Sequence, residues 1–364
     1  MRNQDWMGNV QDKMVYLQDH LNGRVPWYAE KGKYIGCRED FWVSGFWPGM
    51  LWIMYGMTGR EYFRDAAWEW DARLEACFVK ENNLHHDVGF QFLPTAVIKY
   101  KLTGDEQARR RGLLAAGFLA GRFNPAGNFI RAWNQDKTGW AIIDSAMNLS
   151  LLFWAAEETG DPRFAHIAAA HAGTVLTEFI RPDGSVCHVV SFDPFTGKKI
   201  ESLGGQGYDG KSAWSRGQAW AVYGMANTWR YTKDGKFLEA AERVAGYFLA
   251  HLEKSGLPCW DFRAPDREAE PLDSSAAAIA VCGLLELAEA GTEKADFYRE
   301  AAGKLLGNLE LRCGAPGEAS WEGLLLHGTG HRPAGEQVDV SLIYGDYFYL
   351  EALARLEGWG VKIF

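Results

Sequence analysis

The sequence predicts an all-α protein built as an (α/α)6 barrel, a ring of six helical hairpins arranged in an inner and an outer layer. One pattern occurs five times along the 364 residues: an apolar, aromatic-rich helix ends in a turn rich in Thr, Gly and Asp, and a more charged helix follows. One further helix is left over near each end of the chain, and pairing these two completes a sixth hairpin. An open α-solenoid of the same repeats is the alternative, but the leftover helices favour closure.

Each helix is predicted from its periodicity and from the residues at its ends. Gly in the turn ends one helix, and Thr or Asp caps the next. In chain order the five hairpins span residues 50–57 and 61–78, 92–102 and 106–123, 145–158 and 162–179, 218–231 and 236–252, and 274–290 and 293–309. The two helices left over span residues 5–21 and 347–356. Because no Pro/Ser-rich linker or charge run divides the chain, residues 1–364 are predicted to form a single (α/α)6-barrel domain.

The composition argues against several classes of protein. With 38 Lys+Arg and 47 Asp+Glu the net charge is −9, which disfavours binding to a nucleic-acid backbone. No stretch approaches the roughly 18 apolar residues of a membrane span, and no apolar leader is seen. Six scattered cysteines without CxxC spacing indicate reduced thiols, so we expect a cytoplasmic protein. The 16 Trp exceed the needs of a core and can line a cleft for sugar rings, although core packing explains most of them.

Two acidic residues stand out where long connections meet the apolar helices. The connections between hairpins are rich in Gly and aromatic residues, and in a ring they gather at one mouth. Asp87 and Asp144 lie where two of these connections meet inner helices. An Asp before a helix is more often an N-cap than a catalyst, but two carboxylates facing one cavity are the minimum set for acid/base attack on a glycosidic or enol-ether bond. Apolar Ile142 and Ile143 are expected to raise the pKa of Asp144, whereas a helix N-terminus is expected to lower it.

Three histidines have the chemistry of metal ligands but lack the spacing. His85 and His86 are adjacent, and neighbouring residues on one strand or loop are expected to point apart. Together with His188 they form no HxxxH or HxH motif, so we expect no metal site. The glycine-rich segment 204–210 is predicted to be a flexible loop that lets backbone approach a ligand. It is not predicted to bind phosphate, because no strand is expected before it and no Lys-Ser/Thr follows.

An arginine lies between two tryptophans directly after this loop. Trp214, Arg216 and Trp220 are predicted to begin a helix. An Arg among aromatic residues can pair with a carboxylate while the rings stack on a sugar. A core Trp pair with a surface Arg is an equally weighted interpretation. The chain contains no GxSxG motif and no recognisable Cys/His nucleophile arrangement.

Taken together, these segments resemble glycoside hydrolase family 88, the unsaturated glucuronyl hydrolases. The resemblance spans nearly the whole chain in order. Its motifs are Phe41-Trp42-Val43-Ser44-Gly45-Phe46-Trp47-Pro48-Gly49, His85-His86-Asp87-Val88-Gly89-Phe90, Ile142-Ile143-Asp144-Ser145-Ala146-Met147-Asn148-Leu149, His188 with Phe192-Asp193-Pro194, Gly205-Gln206-Gly207, Trp214-Ser215-Arg216-Gly217-Gln218-Ala219-Trp220, Trp260-Asp261-Phe262, Asp273-Ser274-Ser275-Ala276 and Tyr344-Gly345-Asp346-Tyr347.

The resemblance implies an (α/α)6 barrel that acts on oligosaccharides left by polysaccharide lyases. Their non-reducing end is a uronic acid with a C4=C5 double bond, and the enzyme hydrates this bond instead of displacing the anomeric oxygen. By the resemblance, Asp144 is the general acid and then the base, and Asp87 is the second essential carboxylate. Further residues match polar and aromatic positions around the sugar: His188, Gln206 and Arg216, and Trp42, Trp133, Trp214 and Trp220. No metal or organic cofactor is implied, and we expect a monomer or weak homo-oligomer.

One segment departs from the pattern of members that favour sulfated disaccharides. Such members are expected to carry a Ser/Ser/Lys loop before the last inner helix, whereas this chain has Glu336 near the place of the lysine. Glu336 would repel a sulfate, although His331 and Arg332 can compensate. A preference for unsulfated substrates is the resulting hypothesis.

Three alternatives to the glucuronyl reaction differ in what they require. The related unsaturated rhamnogalacturonyl hydrolase uses similar chemistry on pectin fragments, but its motifs match less well. A sugar epimerase on the same toroid would need histidines as its acid/base pair, and the inner helices offer few. A non-enzymatic helical-repeat scaffold predicts an exposed apolar groove and no effect of Asp144 on a small-molecule reaction.

Overall fold

The structure, a computed structural model, describes residues 6–80, 82–315, 317 and 320–364. Within these residues each predicted helix corresponds to one or more α-helices, whose bounds are α1 Trp6–Leu21, α2 Phe46–Thr58, α3 Glu61–Ala67, α4 Trp70–Glu75, α5 Val88–Phe92, α6 Ile98–Thr103, α7 Glu106–Ala120, α8 Ser145–Thr159, α9 Pro162–Thr174, α10 Ser215–Thr232, α11 Gly235–Ala250, α12 Ser274–Ala288, α13 Ala295–Cys313 and α14 Ile343–Leu356. Asp5, the first residue of the predicted N-terminal helix, lies outside the described residues.

Six helical segments form the inner layer of the ring. They are α2, α5 with α6, α8, α10, α12 and α14; each packs against the next, and α14 packs against α2. Aromatic side chains make the closing contact, because the ring of Phe46 on α2 lies 5.1 Å from that of Tyr347 and 5.8 Å from that of Phe348 on α14. The predicted (α/α)6 barrel is therefore confirmed, and the open solenoid is wrong.

The outer layer contains α1, α3 with α4, α7, α9, α11 and α13. All residues of α12 are buried, as an inner helix requires, whereas α13 buries residues only at helical spacing along one side. The predicted turn chemistry is present at the α8–α9 junction: Gly160 has a φ of 67°, and the Asp161 carboxylate accepts a hydrogen bond from the Arg163 N–H. In α1, Gln18 accepts a hydrogen bond from the Trp47 indole of α2. Direct pairing of α1 with α14 stays a prediction.

Two of the predicted helices are interrupted. The segment predicted as one helix over residues 92–102 consists of the end of α5, a π-helical turn Leu93–Val97, and α6. Pro94 lies in that turn and has no N–H to donate, which accounts for the wider winding. The predicted helix over residues 61–78 consists of α3, α4 and a short 3-10 segment. None of the helices that the structure describes is long and apolar enough to cross a membrane.

Short β-strands lie in the connections between the hairpins. Within the described residues they are β1 Val25–Glu30, β2 Lys33–Cys37, β3 Phe123–Asn124, β4 Phe129–Ile130, β5 Trp140–Ile142, β6 Val189–Phe192, β7 Lys199–Leu203, β8 Gly328–His331 and β9 Glu336–Leu342. They form three small antiparallel sheets with the orders β2-β1-β9-β8, β3-β4 and β5-β6-β7. The expectation that no strand precedes the loop at residues 204–210 is wrong, because β7 ends at Leu203 and pairs with β6.

The first sheet joins segments from opposite ends of the chain. Strand β1 pairs antiparallel with β9, so that Ala29 lies opposite Ser341. Next to this pairing, the Tyr34 hydroxyl donates a hydrogen bond of 2.6 Å to the carboxylate of Asp346 on α14. The ring is thus closed by backbone pairing and by a buried side-chain contact as well as by helix packing.

A buried ionic cluster surrounds Glu286 on α12. Its carboxylate accepts hydrogen bonds from Arg230 at 3.2 Å, Arg355 at 2.8 Å and Lys362 at 2.7 Å. Burial alone would raise the pKa of Glu286, but the three positive charges outweigh it and lower the pKa to about 2. The cluster ties α10, α12 and α14 to the segment that follows α14.

Candidate active site

The candidate site lies where the connections enter the inner layer. Asp87 immediately precedes α5, Asp144 precedes α8, Trp214 precedes α10 and Asp273 precedes α12. Because each inner helix is followed by an antiparallel outer helix, the inner helices run in one direction and their N-termini share one end of the ring. These four residues therefore lie at the same mouth.

Asp87 and Asp144 occupy N-cap positions without capping their helices. Neither carboxylate accepts a hydrogen bond from the first turn of the helix that it precedes. The carboxylates of Asp105, Asp161 and Asp273 do accept such a bond at the starts of α7, α9 and α12. N-capping therefore does not explain the two mouth carboxyls, which face other partners.

The Asp144 side chain is largely buried, with 13% of it exposed at the mouth. Its Oδ2 atom is buried and has no hydrogen-bond partner among the described residues. Burial raises the pKa of Asp144 to about 6, against the opposing effects of the Arg216 guanidinium and the Trp220 indole N–H. A carboxyl with such a pKa can hold and release a proton near neutral pH, as a general acid/base must.

His188 faces Asp144 with a defined ring nitrogen. Its Nδ1 accepts a 2.8 Å hydrogen bond from the Gln206 N–H, so the hydrogen of the neutral ring is on Nε2, which lies 3.6 Å from Asp144 Oδ2. Burial lowers the pKa of His188 to about 3 and keeps the ring neutral. The loop reaches the ring through Gly205, where φ is 58° and an added Cβ would lie 2.2 Å from His188 Nδ1.

Asp87 is surrounded by two histidines and an asparagine. His85 Nδ1 lies 3.5 Å and His86 Nε2 lies 3.3 Å from Asp87 Oδ2, while Asn148 Nδ2 donates a 3.1 Å hydrogen bond to Oδ1. Burial and the nearby charge of Asp144 raise the pKa of Asp87 well above its usual range, against the hydrogen bond from Asn148. The expectation that the two histidine rings point apart is wrong: they are stacked with centroids 5.0 Å apart, because they lie in a turn.

The same three residues are the candidates for holding a metal ion. Ligand atoms of His85, His86 and Asp87 lie within 4.8 Å of one another. Burial lowers the pKa of both histidines, so both are neutral, as metal ligands must be. The Arg122 guanidinium also lowers both pKa values, and a positive charge beside the cluster disfavours a cation. The absence of a metal requirement stays a prediction.

Arg216 is buried beneath the mouth. One guanidinium nitrogen donates to Asp273 Oδ2 at 2.8 Å and to the Thr329 carbonyl at 2.5 Å. The other donates to Gln206 Oε1 at 2.5 Å and to the Gly330 carbonyl at 2.7 Å. The interpretation of Arg216 as a surface residue is therefore wrong, since only 2% of it is exposed. Its charge is matched by Asp273, and it fixes the Gln206 side chain.

Aromatic rings surround these polar groups at different depths. The guanidinium of Arg216 lies 4.4 Å from the centroid of the Trp214 ring, which is buried. Trp42 is partly exposed and packs 4.9 Å from Tyr344. Trp220 is fully buried and packs 5.0 Å from Phe90, so it lies below the surface of the site. Contact of Trp220 with a substrate thus requires movement of the residues that cover it.

Trp133 belongs to a small separate apolar cluster beside β5. Its ring meets that of Trp140 edge to face at 5.9 Å, and the Lys137 ammonium lies 5.0 Å from the Trp133 ring centroid. The cluster includes Ile142 and Leu203, which flank Asp144 and the glycine-rich loop in the sequence. Trp133 is therefore connected to the site through the β5-β6-β7 sheet.

Two residues of the site are not among those predicted from the sequence. Asp273 pairs with Arg216, and Asn148 contacts Asp87. Both residues lie within the sequence motifs that resemble family 88. Asn148 could have been predicted, because it lies one helical turn after Asp144 and therefore on the same face of α8.

Comparison with known proteins assigns the family. The family model for Glycosyl Hydrolase Family 88 matches residues 4–364. The chain belongs to this family. It is 38% identical over 344 residues to the unsaturated glucuronyl hydrolase of Bacillus sp. (strain GL1), covering 92% of this chain and 91% of that one. Family 88 membership makes the protein a glycoside hydrolase, so the scaffold and epimerase alternatives are wrong.

Solved structures of relatives share the fold of this family 88 chain. The crystal structure of the unsaturated glucuronyl hydrolase from Bacillus sp. GL1, described as responsible for the degradation of glycosaminoglycan, has a TM-score of 0.94 at 35% identity, covering 98% of this chain and 97% of that one. A variant of the Streptococcus agalactiae unsaturated glucuronyl hydrolase, complexed with dGlcA-GalNAc6S, has a TM-score of 0.87 at 28% identity. The match covers 99% of this chain and 93% of that one.

Proposed function

We propose that this protein removes the unsaturated 4,5-dehydro uronic acid from the non-reducing end of polysaccharide-lyase products by hydrating its C4=C5 double bond. The observation that carries the proposal is the Asp144 carboxyl, which is largely buried, does not cap its helix and has its pKa raised by burial to about 6. The proposed substrate class is supported by the relatives of this family 88 chain, which are unsaturated glucuronyl hydrolases.

The proposed reaction begins with proton transfer from Asp144 to C4. The π electrons of the double bond form the new C–H bond, and the positive charge that develops at C5 is shared with the ring oxygen. Water then attacks C5 while the ionised Asp144 accepts its proton, which restores the acid. The resulting hemiketal opens and the glycosidic bond breaks by rearrangement. Because the anomeric carbon is not attacked, the separation of the two carboxyls does not predict inversion or retention.

The other polar residues are proposed to hold the ring and to control charge. Asp87 binds sugar hydroxyls, and the His188 Nε2–H stabilises Asp144 after it has given up its proton. Arg216 keeps Gln206 directed toward the water and the unsaturated ring, a role supported by their 2.5 Å hydrogen bond. Trp42 and Trp133, which are partly exposed, line the sugar path, with Trp214 and Trp220 beneath it.

We further propose a preference for unsulfated substrates. Glu336 is exposed at the start of β9, so its charge faces solvent. Arg332 donates to Glu270 Oε2 at 2.9 Å and is already paired. Burial lowers the pKa of His331, partly offset by Glu336, so this ring is neutral near pH 7. Neither basic residue is then available to offset the repulsion of a sulfate by Glu336.

The protein is also proposed to act as one catalytic domain in the cytoplasm, as a monomer or weak homo-oligomer. All six cysteines are free thiols, and five of them are buried, which suits a reducing compartment.

Ultraviolet absorbance of the conjugated double bond provides the test. Wild type is expected to remove the absorbance of unsaturated chondroitin and hyaluronan disaccharides, and Asp144→Asn is expected to remove none. Asp161→Asn, which alters a partly exposed capping carboxylate at the start of α9, is the matched control and should keep wild-type activity. Loss of absorbance only with pectin-derived unsaturated disaccharides would show that the substrate is a pectin fragment and not a glycosaminoglycan fragment. Full activity of Asp144→Asn would refute the role of Asp144 as the general acid.

A further inference from the structure

Asn148 lies between the two carboxyls and is completely buried. Its Nδ2 donates one hydrogen bond to Asp87 Oδ1 and another to the main-chain carbonyl of Asp144, both at 3.1 Å. Its Oδ1 accepts a 2.9 Å hydrogen bond from the Phe90 N–H. Since a backbone N–H can only donate, this last contact fixes the orientation of the amide.

The Phe90 N–H is the group that an N-cap side chain would normally bind. With Asp87 at the N-cap, Phe90 is the third residue of α5, and an N-cap carboxylate usually accepts from the second or third N–H. Here the amide oxygen of Asn148, on a different helix, takes that place. The Asp87 carboxyl is thereby released from capping α5 and turns toward the mouth.

The backbone is shaped to admit Asn148. An added Cβ on Gly89 would lie 2.4 Å from Asn148 Oδ1 and 2.8 Å from its Cα, so only glycine allows α5 to approach α8 this closely. Loss of the approach would remove both the substitute cap and the link to Asp87. The contact is therefore specific to this pair of helices.

We propose that Asn148 is a positioning residue that caps α5 in place of Asp87 and so holds the Asp87 carboxyl in the site, at a fixed distance from Asp144. The inference rests on the proposed function, since it concerns the second carboxyl of that reaction. The N–H of Asn148 also lowers the pKa of Asp87 and supports its ionised form.

Two substitutions at Asn148 separate its two hydrogen-bonding roles. In Asn148→Ala the Phe90 N–H has lost its acceptor, and the Asp87 carboxyl is free to turn back and cap α5. In Asn148→Asp the acceptor is kept, but an ionised Asp cannot donate to Asp87 and repels it. A protonated Asp can donate through its O–H, so acidification should restore the contact. Asn227→Ala removes another buried asparagine, on α10, and serves as the matched control.

The experiment measures kcat/KM from the loss of ultraviolet absorbance of unsaturated chondroitin disaccharide between about pH 5 and about pH 7, with thermal melting of each variant. We expect kcat/KM of Asn148→Ala to be about tenfold to hundredfold lower than that of wild type at every pH, which is the effect of losing one hydrogen bond to a charged group. The kcat/KM of Asn148→Asp should be lowered as much at neutral pH, but the ratio of its kcat/KM to that of wild type should rise as the pH falls. Asn227→Ala should match wild type.

Wild-type kcat/KM in both Asn148 variants, or a ratio of Asn148→Asp to wild type that does not change with pH, would overturn the inference while the proposed function stands. If Asn148→Ala fails to fold, the pH dependence of Asn148→Asp decides. Absence of turnover by wild type would instead overturn the proposed function and this inference with it.

Discussion

Raising the pH from about 5 to about 7 is expected to lower kcat/KM about tenfold, because the reaction needs Asp144 in its protonated form. Burial raises the pKa of Asp144 to about 6, and the ordinary value is 3.8. With a pKa of about 6, the protonated fraction is roughly nine-tenths at pH 5 and roughly one-tenth at pH 7. An unperturbed Asp would already be almost fully ionised at pH 5 and would give much lower activity throughout.

The variant Asp87→Asn assigns this pH dependence to one carboxyl. Burial raises the pKa of Asp144, and Arg216 and Trp220 oppose the shift, whereas Asp87 is not among the groups that cause it. Replacing Asp87 by a neutral amide should therefore lower kcat/KM but leave the midpoint of the decline near pH 6, the value to which burial raises the pKa of Asp144. The assay is the initial rate of absorbance loss at low substrate concentration. A rate that is flat or rises with pH in wild type, or a decline that disappears in Asp87→Asn, would refute the assignment to Asp144.

Three further predictions concern the glycine-rich loop at Gly205, the buried ionic cluster around Glu286, and Glu336 at the start of β9. Gly205→Ala would place a Cβ 2.2 Å from His188 Nδ1, so we expect loss of kcat/KM with an intact fold, and unchanged activity in Gly303→Ala, where the added Cβ meets nothing within 4 Å. Glu286→Gln should lower the free energy of unfolding by about 3 kcal/mol at neutral pH, since the pKa is shifted from 4.5 to about 2. The positive charges that lower this pKa stabilise only the ionised form of Glu286. The difference in unfolding free energy between wild type and Glu286→Gln, measured by urea unfolding, should therefore disappear as the pH falls from 4.5 toward about 2. Glu336→Lys should raise turnover of sulfated relative to unsulfated chondroitin disaccharide.

Different results would contradict each of these predictions. Equal activity of the two glycine variants would mean that the loop does not fix the imidazole. A destabilisation by Glu286→Gln that persists at about pH 2 would arise from packing and not from charge. Faster cleavage of the sulfated disaccharide by wild type would refute the hypothesis of an unsulfated preference.

Most of the fold follows from local signals in the sequence. The turn at Thr159 and Gly160 ends α8 where predicted, because glycine adopts the left-handed conformation there. The strands do not follow from such signals, since β1 is only six residues long and pairs with β9 across almost the whole chain. Pairing of this kind depends on the closed ring and has no local pattern to reveal it.

The site is less predictable because its geometry arises between helices. Sequence position brings Asp87 and Asp144 to the mouth, but the release of Asp87 from capping depends on the Asn148 amide of another helix. The stacking of His85 on His86 depends on the turn that holds them, which differs from the extended backbone assumed for adjacent residues. Burial of Arg216 likewise depends on Asp273, whose carboxylate arrives from the next inner helix.

The joining of the first sheet has a consequence for biosynthesis. Tyr34 donates to Asp346, which is made 312 residues later. At ordinary rates of translation this delay is on the order of tens of seconds. During that time the nascent chain lacks α14, so the inner layer is incomplete. The apolar side of α2 that later packs against α14 is then exposed to solvent. The contact between α2 and α14 is therefore the part of the inner layer that is completed last during synthesis.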